Sequence, residues 1–598
     1  MLWSAISFSQ KNTTDDKLAL QYYEQKEYEK ANVYLEKLYD QSPDVWFFYY
    51  YKCLVGVKDY NRAEKICKKQ LKRNQQNTPV YVYLGRVYKL QNEEKKEKEA
   101  YEKAIKEVAP YQTFLQPLAA AFAEEGLFDY AIEAYKKGRK QNPEYPYFYE
   151  IADIYKRKGD LKAMINEYLD AIEFRDSELY TAQNYLQNAL GYDDDNGGFK
   201  NPLLKQELQK RIQQRPDKVV FSEFLIFLQK QQKDFEGAFV QSKALDKREK
   251  EDGKRLFDLA KICTANEKFD VAERCYQYVI DKGPGLGYYD AANVDIINVS
   301  YLDITSRPQP TTEELLALEK RYLTAVEKYK TTHLANFLIT NLANLQTYYL
   351  NKTDEAVAEI ETIISNPGLD VQTRAEFKVQ LGDIYLIKGF IWDASLLYSQ
   401  VEKDFKYEPI GQDAKFRNAK LSYYAGDFAW AKTQADVLKG STTKLIANDA
   451  LDLSLIITDA IGVDTNAAPL AWFSAADLMT QQHKYTDAIT HLDSINKIFP
   501  THTLGDDIFY KKAEIYLKLG KYTEAEKMYK NILEFYPTEL YGDDAQFKLA
   551  ELYEKKLNDV EKAKQSYQDV LTNYPGSIYV VEARKRYRIL RGDSLNNG

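Results

Sequence analysis

The sequence predicts an all-α protein assembled from repeated helical hairpins, on three observations. Its 598 residues are too many for one compact domain and suit several domains or an extended repeat array. It contains 50 Tyr but only 26 Gly and 17 Pro, a balance that favours long helices packed through aromatic rings. The strongest observation is that one pattern of small, aromatic and helix-ending residues recurs along the chain.

The clearest copy of this pattern is the stretch IFYKKAEIYLKLGKYTEAEKMYKNILEFYP, which ends at Pro537. Small side chains at Ala513 and Ala525 let two antiparallel helices approach closely. Gly520 is placed to end the first helix, and Pro537 blocks continuation of the second. The space around the helix contact is filled by three rings, those of Tyr516, Tyr522 and Tyr529.

The same order of residues recurs in other parts of the chain. Its small residues include Ala19, Ala31, Ala119, Ala131, Ala152, Gly382, Ala394, Ala476 and Ala488. This resembles the tetratricopeptide repeat family, whose unit of about 34 residues is a helix-turn-helix. The resemblance implies an α-solenoid, a right-handed superhelix of about thirteen repeats.

The repeats fall into two well-marked blocks separated by a section in which the pattern degrades. We predict a segment at 1–10 outside the fold, a first repeat block at 11–190, and a second at 369–598 with a short frayed tail. Between them, 191–368 reads as degenerate helical hairpins with insertions. A separate domain without repeats is the alternative for this middle section.

Two features indicate an exported protein. The repeats from Tyr536 to Arg586 have the YP-T and YP-GS cadence of bacterial envelope repeat proteins, and they resemble the outer-membrane assembly lipoprotein and the Tol–Pal coordinator. The segment MLWSAISFSQ has the apolar run and small residues of the end of a secretory signal. These features predict a periplasmic or envelope-associated protein. The alternatives are a cytoplasmic adaptor and, for the segment, a cap over the first repeat.

The composition and motifs predict a binding protein without catalytic activity. A net charge of -8 and a pI near 5.5 argue against binding to nucleic acid or anionic lipid, and no apolar run is long enough to span a membrane. The chain has four His and no phosphate-binding or nucleophile motif, so we expect no enzyme activity, no cofactor and no metal. Its four cysteines, Cys53, Cys67, Cys263 and Cys275, fit buried thiols, with disulfides inside two hairpins as the alternative.

The resemblance places partner binding in the concave groove, which the first helix of each hairpin lines in this family. One groove-facing place, just after the first small residue, carries mostly basic or neutral residues in the first block, with Asp153 as an exception, and mostly acidic residues in the last block, with Lys420 as an exception. The candidate residues are Lys52, Arg86, Lys89 and Lys156 at the basic end, and Asp383, Asp477, Glu514 and Glu551 at the acidic end. Opposite charges at the two ends could orient an extended peptide or helix of a partner protein. The alternative is that these residues are solvated helix surface.

Overall fold

The computed structural model describes residues 14–190, 202–440, 443–461, 466–500 and 502–592. Within these ranges the chain forms helices and connecting turns with no β-strand, which confirms the predicted all-α helical-repeat fold. The segment 1–10 and the start of the predicted middle section lie outside the described residues. No helix in the described ranges is both long and apolar enough to cross a membrane.

The chain divides into two compact units, and the division falls between Leu228 and Gln229. The described part of unit 1 contains thirteen α-helices, of which the last runs across the division. They are α1 Thr14–Glu24, α2 Tyr28–Gln41, α3 Pro43–Gly56, α4 Tyr60–Arg73, α5 Pro79–Leu90, α6 Glu94–Glu107, α7 Gln112–Glu124, α8 Phe128–Gln141, α9 Phe148–Lys158, α10 Leu161–Phe174, α11 Leu179–Leu190, α12 Pro202–Gln214 and α13 Val219–Gln231.

The described part of unit 2 contains the remaining helices. They are α14 Phe235–Glu249, α15 Lys254–Ala265, α16 Phe269–Asp281, α17 Tyr289–Ser306, α18 Thr312–Tyr329, α19 Leu334–Tyr348, α20 Thr353–Ile364, α21 Val371–Lys388, α22 Ile391–Asp404, α23 Pro409–Tyr424, α24 Phe428–Leu438, α25 Lys444–Ile461, α26 Ala468–Gln481, α27 Tyr485–Ile498, α28 Gly505–Lys518, α29 Tyr522–Phe535, α30 Gly542–Leu552, α31 Val560–Asn573 and α32 Val580–Arg591. The predicted middle section is helical from α12 to α20, and its boundaries at 190 and 368 stay predictions.

Successive helices pack as antiparallel hairpins because small residues let their backbones come close. Ala513 in α28 and Ala525 in α29 are fully buried, as the repeat pattern predicts. Gly382 in α21 lies so close to α22 that an added Cβ would be 2.5 Å from the ring of Tyr398. A ring packed against a glycine therefore fixes the spacing of this hairpin.

Local signals set where the helices begin and turn. Several second helices begin at an aspartate whose carboxylate accepts a hydrogen bond from the backbone, as Asp59 does from Arg62 N at 3.1 Å and Asp160 from Ala163 N at 3.0 Å. The turns between paired helices use a residue in the left-handed region. Gly520 has φ +68°, and among the residues that the structure describes ten others that are not glycine also have positive φ.

Unit 2 also has contacts between hairpins that are far apart in sequence. Gln482 donates a hydrogen bond from Nε2 to the carbonyl oxygen of Leu386 at 3.2 Å. The neighbouring His483 ring stacks on Tyr348, with 5.3 Å between ring centroids. These contacts lie at the C-terminal ends of α21 and α26, next to the site described below.

Candidate functional site

Helix α23 lies at the centre of the candidate site in unit 2. Residues at helical spacing along α23 line two neighbouring pockets of about 120 Å³ and about 380 Å³. Lys420 lines both pockets. We call the two the small pocket and the large pocket.

The small pocket is organised by a charge pair between α21 and α23. Arg417 Nη1 lies 2.6 Å from Asp383 Oδ1, and the Tyr398 hydroxyl donates to the same carboxylate at 2.6 Å. Arg417 also donates from Nε to Asp413 Oδ2 at 3.1 Å. Burial raises the pKa of Asp383, while Arg417 opposes the rise. Asp383 is therefore tied into a network with two partners of its own chain.

Asp477 in α26 lines the large pocket and contacts Tyr424, which lines the small one. Its carboxylate lies 3.2 Å from Lys511 Nζ and accepts a hydrogen bond from the Tyr424 hydroxyl at 3.2 Å. Lys511 lies 3.1 Å from Glu514 Oε2 as well. Burial alone would raise the pKa of Asp477, but Lys511 and Lys420 hold it below its ordinary value. Asp477 is thus a buried, charged anchor between α23 and α28.

The large pocket is lined by α23, α25, α26, α28 and the residue before α30, with carboxyl groups and aromatic rings. Its aromatic lining includes Tyr510 and Tyr541, which stack with 4.3 Å between centroids and 17° between planes. Asp449 and Asp452 lie exposed on α25, whereas Asp507 is only 7% exposed. Burial, reinforced by repulsion from Asp506 and Asp459, raises the pKa of Asp507 to about 8.

The structure brings together three of the four acidic residues chosen from the sequence. Asp383 lines the small pocket, and Asp477 and Glu514 line the large one. Glu551 does not line either pocket and instead pairs with Lys548 at 3.0 Å and Lys555 at 2.5 Å.

The basic candidates lie in unit 1, where most are paired with acids of the same unit. Lys52 and Arg86 both reach Glu125, at 3.5 Å and 3.1 Å. Lys89 Nζ lies 3.9 Å from Glu97, and Lys156 is exposed. Glu125 therefore neutralises part of the basic surface that the sequence predicts.

The sequence did not indicate a third pocket, of about 440 Å³, between α22, α23 and α24. Trp392 and Trp430 flank it and are 82% and 55% exposed. Its lining includes Asn418, which accepts from Ser395 Oγ and donates to Ser399 Oγ, each at 3.1 Å. The polar side chains of Ser395, Asn418 and Ser399 therefore form hydrogen bonds with one another.

Within the described part of the chain, residues capable of metal or thiol chemistry do not cluster into a site. In the described ranges, no group of three or more His, Cys, Asp and Glu side chains is placed to hold a metal ion. All four cysteines are free and buried. Burial raises the pKa of Cys53 and Cys263 to about 12, as expected for inert thiols in a helical core.

Comparison with solved structures finds helical-repeat proteins at low similarity. A tetratricopeptide repeat protein from Parabacteroides merdae is 14% identical, with 50% of this chain and 99% of that chain covered and a TM-score of 0.21. Naa15/Naa10 bound to HypK-THB is 14% identical, with 98% and 97% covered and a TM-score of 0.29. The APC/C hetero-tetramer Cut9–Hcn1 is 13% identical, with 96% of each chain covered and a TM-score of 0.23. These scores are too low to support an inference about partner or activity.

Comparison with family models is more specific. Two models described as tetratricopeptide repeat match this chain, one at 16–44 and 544–577 and the other at 145–177 and 506–539. The search of curated proteins found no match. The matched stretches fall on helical hairpins in both units, so the chain contains tetratricopeptide repeats near each of its ends.

Proposed function

We propose that this protein is a non-enzymatic interaction scaffold that holds an extended segment or helix of a partner protein on the inward face of unit 2. The observation that carries the proposal is the large pocket, where five parts of the fold bring buried charge and aromatic rings to one place. Its volume of about 380 Å³ lies near the lower end of the range for ligand pockets, roughly 300–1,000 Å³, and suits one or two side chains.

The pocket has the composition of an anchoring point in a protein interface. Aromatic rings that are held rigidly and partly shielded from water contribute a large share of binding energy when a partner covers them. Tyr510 and Tyr541 are half-buried and already stacked, so a partner would meet an ordered surface. Less conformational entropy is then lost on binding.

We further propose that the protein works in the bacterial cell envelope with envelope proteins as partners. The support is the cadence of the repeats from Tyr536 to Arg586. The alternative is a cytoplasmic adaptor that uses the same site. Fractionation of cells expressing the gene from its own locus separates the two: recovery with periplasmic or membrane-associated marker proteins supports the envelope, and recovery with cytoplasmic markers supports the adaptor.

A steric variant tests the binding site without changing its charge. Ile456 lines the large pocket, so Ile456→Trp should fill part of it, whereas Val581→Trp adds the same ring at a site that is 77% exposed on α32. The full chain is crosslinked in cells, and the captured proteins are quantified by mass spectrometry. We expect Val581→Trp to retain the partners of the unmodified protein and Ile456→Trp to lose them.

A second variant guards against misfolding of the first. Tyr541→Ala removes one ring of the stacked pair without adding bulk, and circular dichroism melting confirms that each variant is folded. The proposal is abandoned if folded Ile456→Trp and Tyr541→Ala both capture the same proteins, in the same amounts, as Val581→Trp.

A further inference from the structure

The large pocket has more acidic than basic groups. Five carboxyl groups line it, those of Asp449, Asp452, Asp477, Asp507 and Glu514, against the two ammonium groups of Lys420 and Lys511. Lys511 is engaged by Asp477 and Glu514 at 3.2 Å and 3.1 Å. Lys420 is the other cation close to Asp477. Within the described part of unit 2, no Lys, Arg or His is placed within ion-pair distance of the remaining three carboxyl groups.

Asp507 is the residue that most clearly points to a missing partner. It is 93% buried, lines the pocket, and its carboxylate is hydrogen-bonded to its own backbone amide. Its acidic neighbours Asp506 and Asp459 make an ionised form still less favourable, and the ammonium group of Lys511 opposes this effect only in part. Burial keeps this carboxyl group protonated in the free protein, and a cation that enters the pocket would compensate its ionised form.

The aromatic rings of the pocket favour a cation as that compensating group. The faces of Tyr510, Tyr541 and Phe416 carry negative electrostatic potential and attract an organic cation placed near them. The described carboxyl groups do not form a metal-binding cluster. Carboxylates combined with rings suit an ammonium or guanidinium group on an apolar stem, because the stem can pack on the rings while the cation meets the acids.

We propose that the large pocket takes one lysine or arginine side chain from an extended segment of the partner, with Asp507 at its buried end and Asp449 and Asp452 at its exposed rim. The inference rests on the proposed function, because it assumes that a partner binds this face of unit 2. It adds the chemistry of the residue that is recognised: a basic side chain anchors the segment, and a neutral or acidic one is excluded.

Capped pentapeptides test the recognised chemistry directly. Four peptides of alanine carry lysine, arginine, norleucine or glutamate at the centre, and their binding to the full chain is measured by fluorescence anisotropy. The lysine and arginine peptides are expected to bind at least about tenfold more tightly than norleucine, with weakening at high salt. Absence of binding by the basic peptides at millimolar concentration, or equal binding by norleucine, overturns the proposal.

Charge-neutral variants locate the binding. Asp449→Asn with Asp452→Asn removes exposed charges and should weaken the basic peptides about threefold to tenfold. Asp507→Asn should weaken them about tenfold or more, because a bound cation favours the ionised form of Asp507 and pairs with it in a buried place, whereas asparagine cannot ionise. The matched control is Glu327→Gln with Glu561→Gln, which removes two charges at sites whose side chains are 75% and 79% exposed away from the pocket. Equal weakening by the control, or no weakening by either pocket variant, overturns the proposal.

Failure of this inference is distinguishable from failure of the proposed function. One outcome is that Ile456→Trp abolishes partner capture, the asparagine variants do not change peptide affinity, and the norleucine peptide binds as tightly as the basic peptides. This face of unit 2 would then bind a partner without recognising a basic side chain. If spermidine binds to the pocket while all four peptides fail, the cation preference is real but its source is a free polyamine, and the inference of a partner side chain is wrong.

Discussion

The raised pKa of Asp507 makes a prediction about stability that does not depend on any ligand. The folded protein holds this carboxyl group protonated up to about pH 8, whereas in the unfolded chain it ionises near its ordinary value of 3.8. Between these values the folded state binds more protons than the unfolded state. Stability contributed by this group is therefore complete below about pH 4 and is lost as the pH rises through about 8.

The magnitude follows from the linkage between proton binding and folding. Between about pH 4 and about pH 8, each rise of one pH unit lowers the free energy of unfolding by about 1.4 kcal/mol relative to a protein with a residue that does not ionise at this position. From pH 5 to pH 7, the unmodified protein should thus lose about 2 to 3 kcal/mol relative to Asp507→Asn. Asparagine has nearly the same shape and stays neutral, so the comparison isolates the charge.

Amide hydrogen exchange in α28 is the suitable assay, because a long repeat array need not unfold in one step. The opening free energies of α28 amides are measured in both proteins at pH 5, 6 and 7 after correction for intrinsic exchange. Glu327→Gln, at an exposed site in α18, controls for loss of a charge alone. Parallel curves for Asp507→Asn and the unmodified protein, within about 0.5 kcal/mol, would refute the reasoning.

Three further predictions concern the fold. Gly382→Ala should lower the free energy of unfolding by about 1–3 kcal/mol because its Cβ would meet the Tyr398 ring, whereas Gly576→Ala, in open space, should change it by less than about 0.5 kcal/mol in chemical denaturation. Asp160→Ala removes the hydrogen bond from Ala163 N and should cost about 1 kcal/mol, seen as lower hydrogen-exchange protection at the start of α10. All four thiols should resist a thiol reagent in the native protein and react in denaturant without reductant. Fewer than four reactive thiols in denaturant would instead indicate a disulfide.

The fold could be predicted because its determinants are local and repeated. Ala513 and Ala525 occupy the two small-residue positions that recur from repeat to repeat and mark the close contact between paired helices. Both are fully buried. The same regularity puts Asp383, Asp477 and Glu514 at one repeated position of successive first helices, and they line the two neighbouring pockets; their role in partner binding stays a prediction. Asp449 and Asp452 of α25 also line the large pocket, but they do not occupy this repeated position, so the pattern does not predict them.

The pairing of charges could not be predicted because it depends on contacts distant in sequence. Arg86 pairs with Glu125, which lies in a different hairpin, and no short-range sequence pattern indicates this pair. Asp507 lies in the first turn of α28, where an acidic residue is ordinary in sequence terms because it complements the helix dipole. Its burial follows from how α23, α25 and α28 come together around the large pocket.

The turn residues with positive φ have a consequence for engineering this chain. Left-handed geometry costs an ordinary L-residue roughly 1–2 kcal/mol, and Lys58, Lys233 and Glu267 occupy it in turns between helices where other hairpins have glycine. Each such turn is thus a position where replacement by glycine can make the array more heat-resistant without touching either pocket. Each of these turns lowers the stability of its own hairpin, so the stability of the array can be adjusted one hairpin at a time.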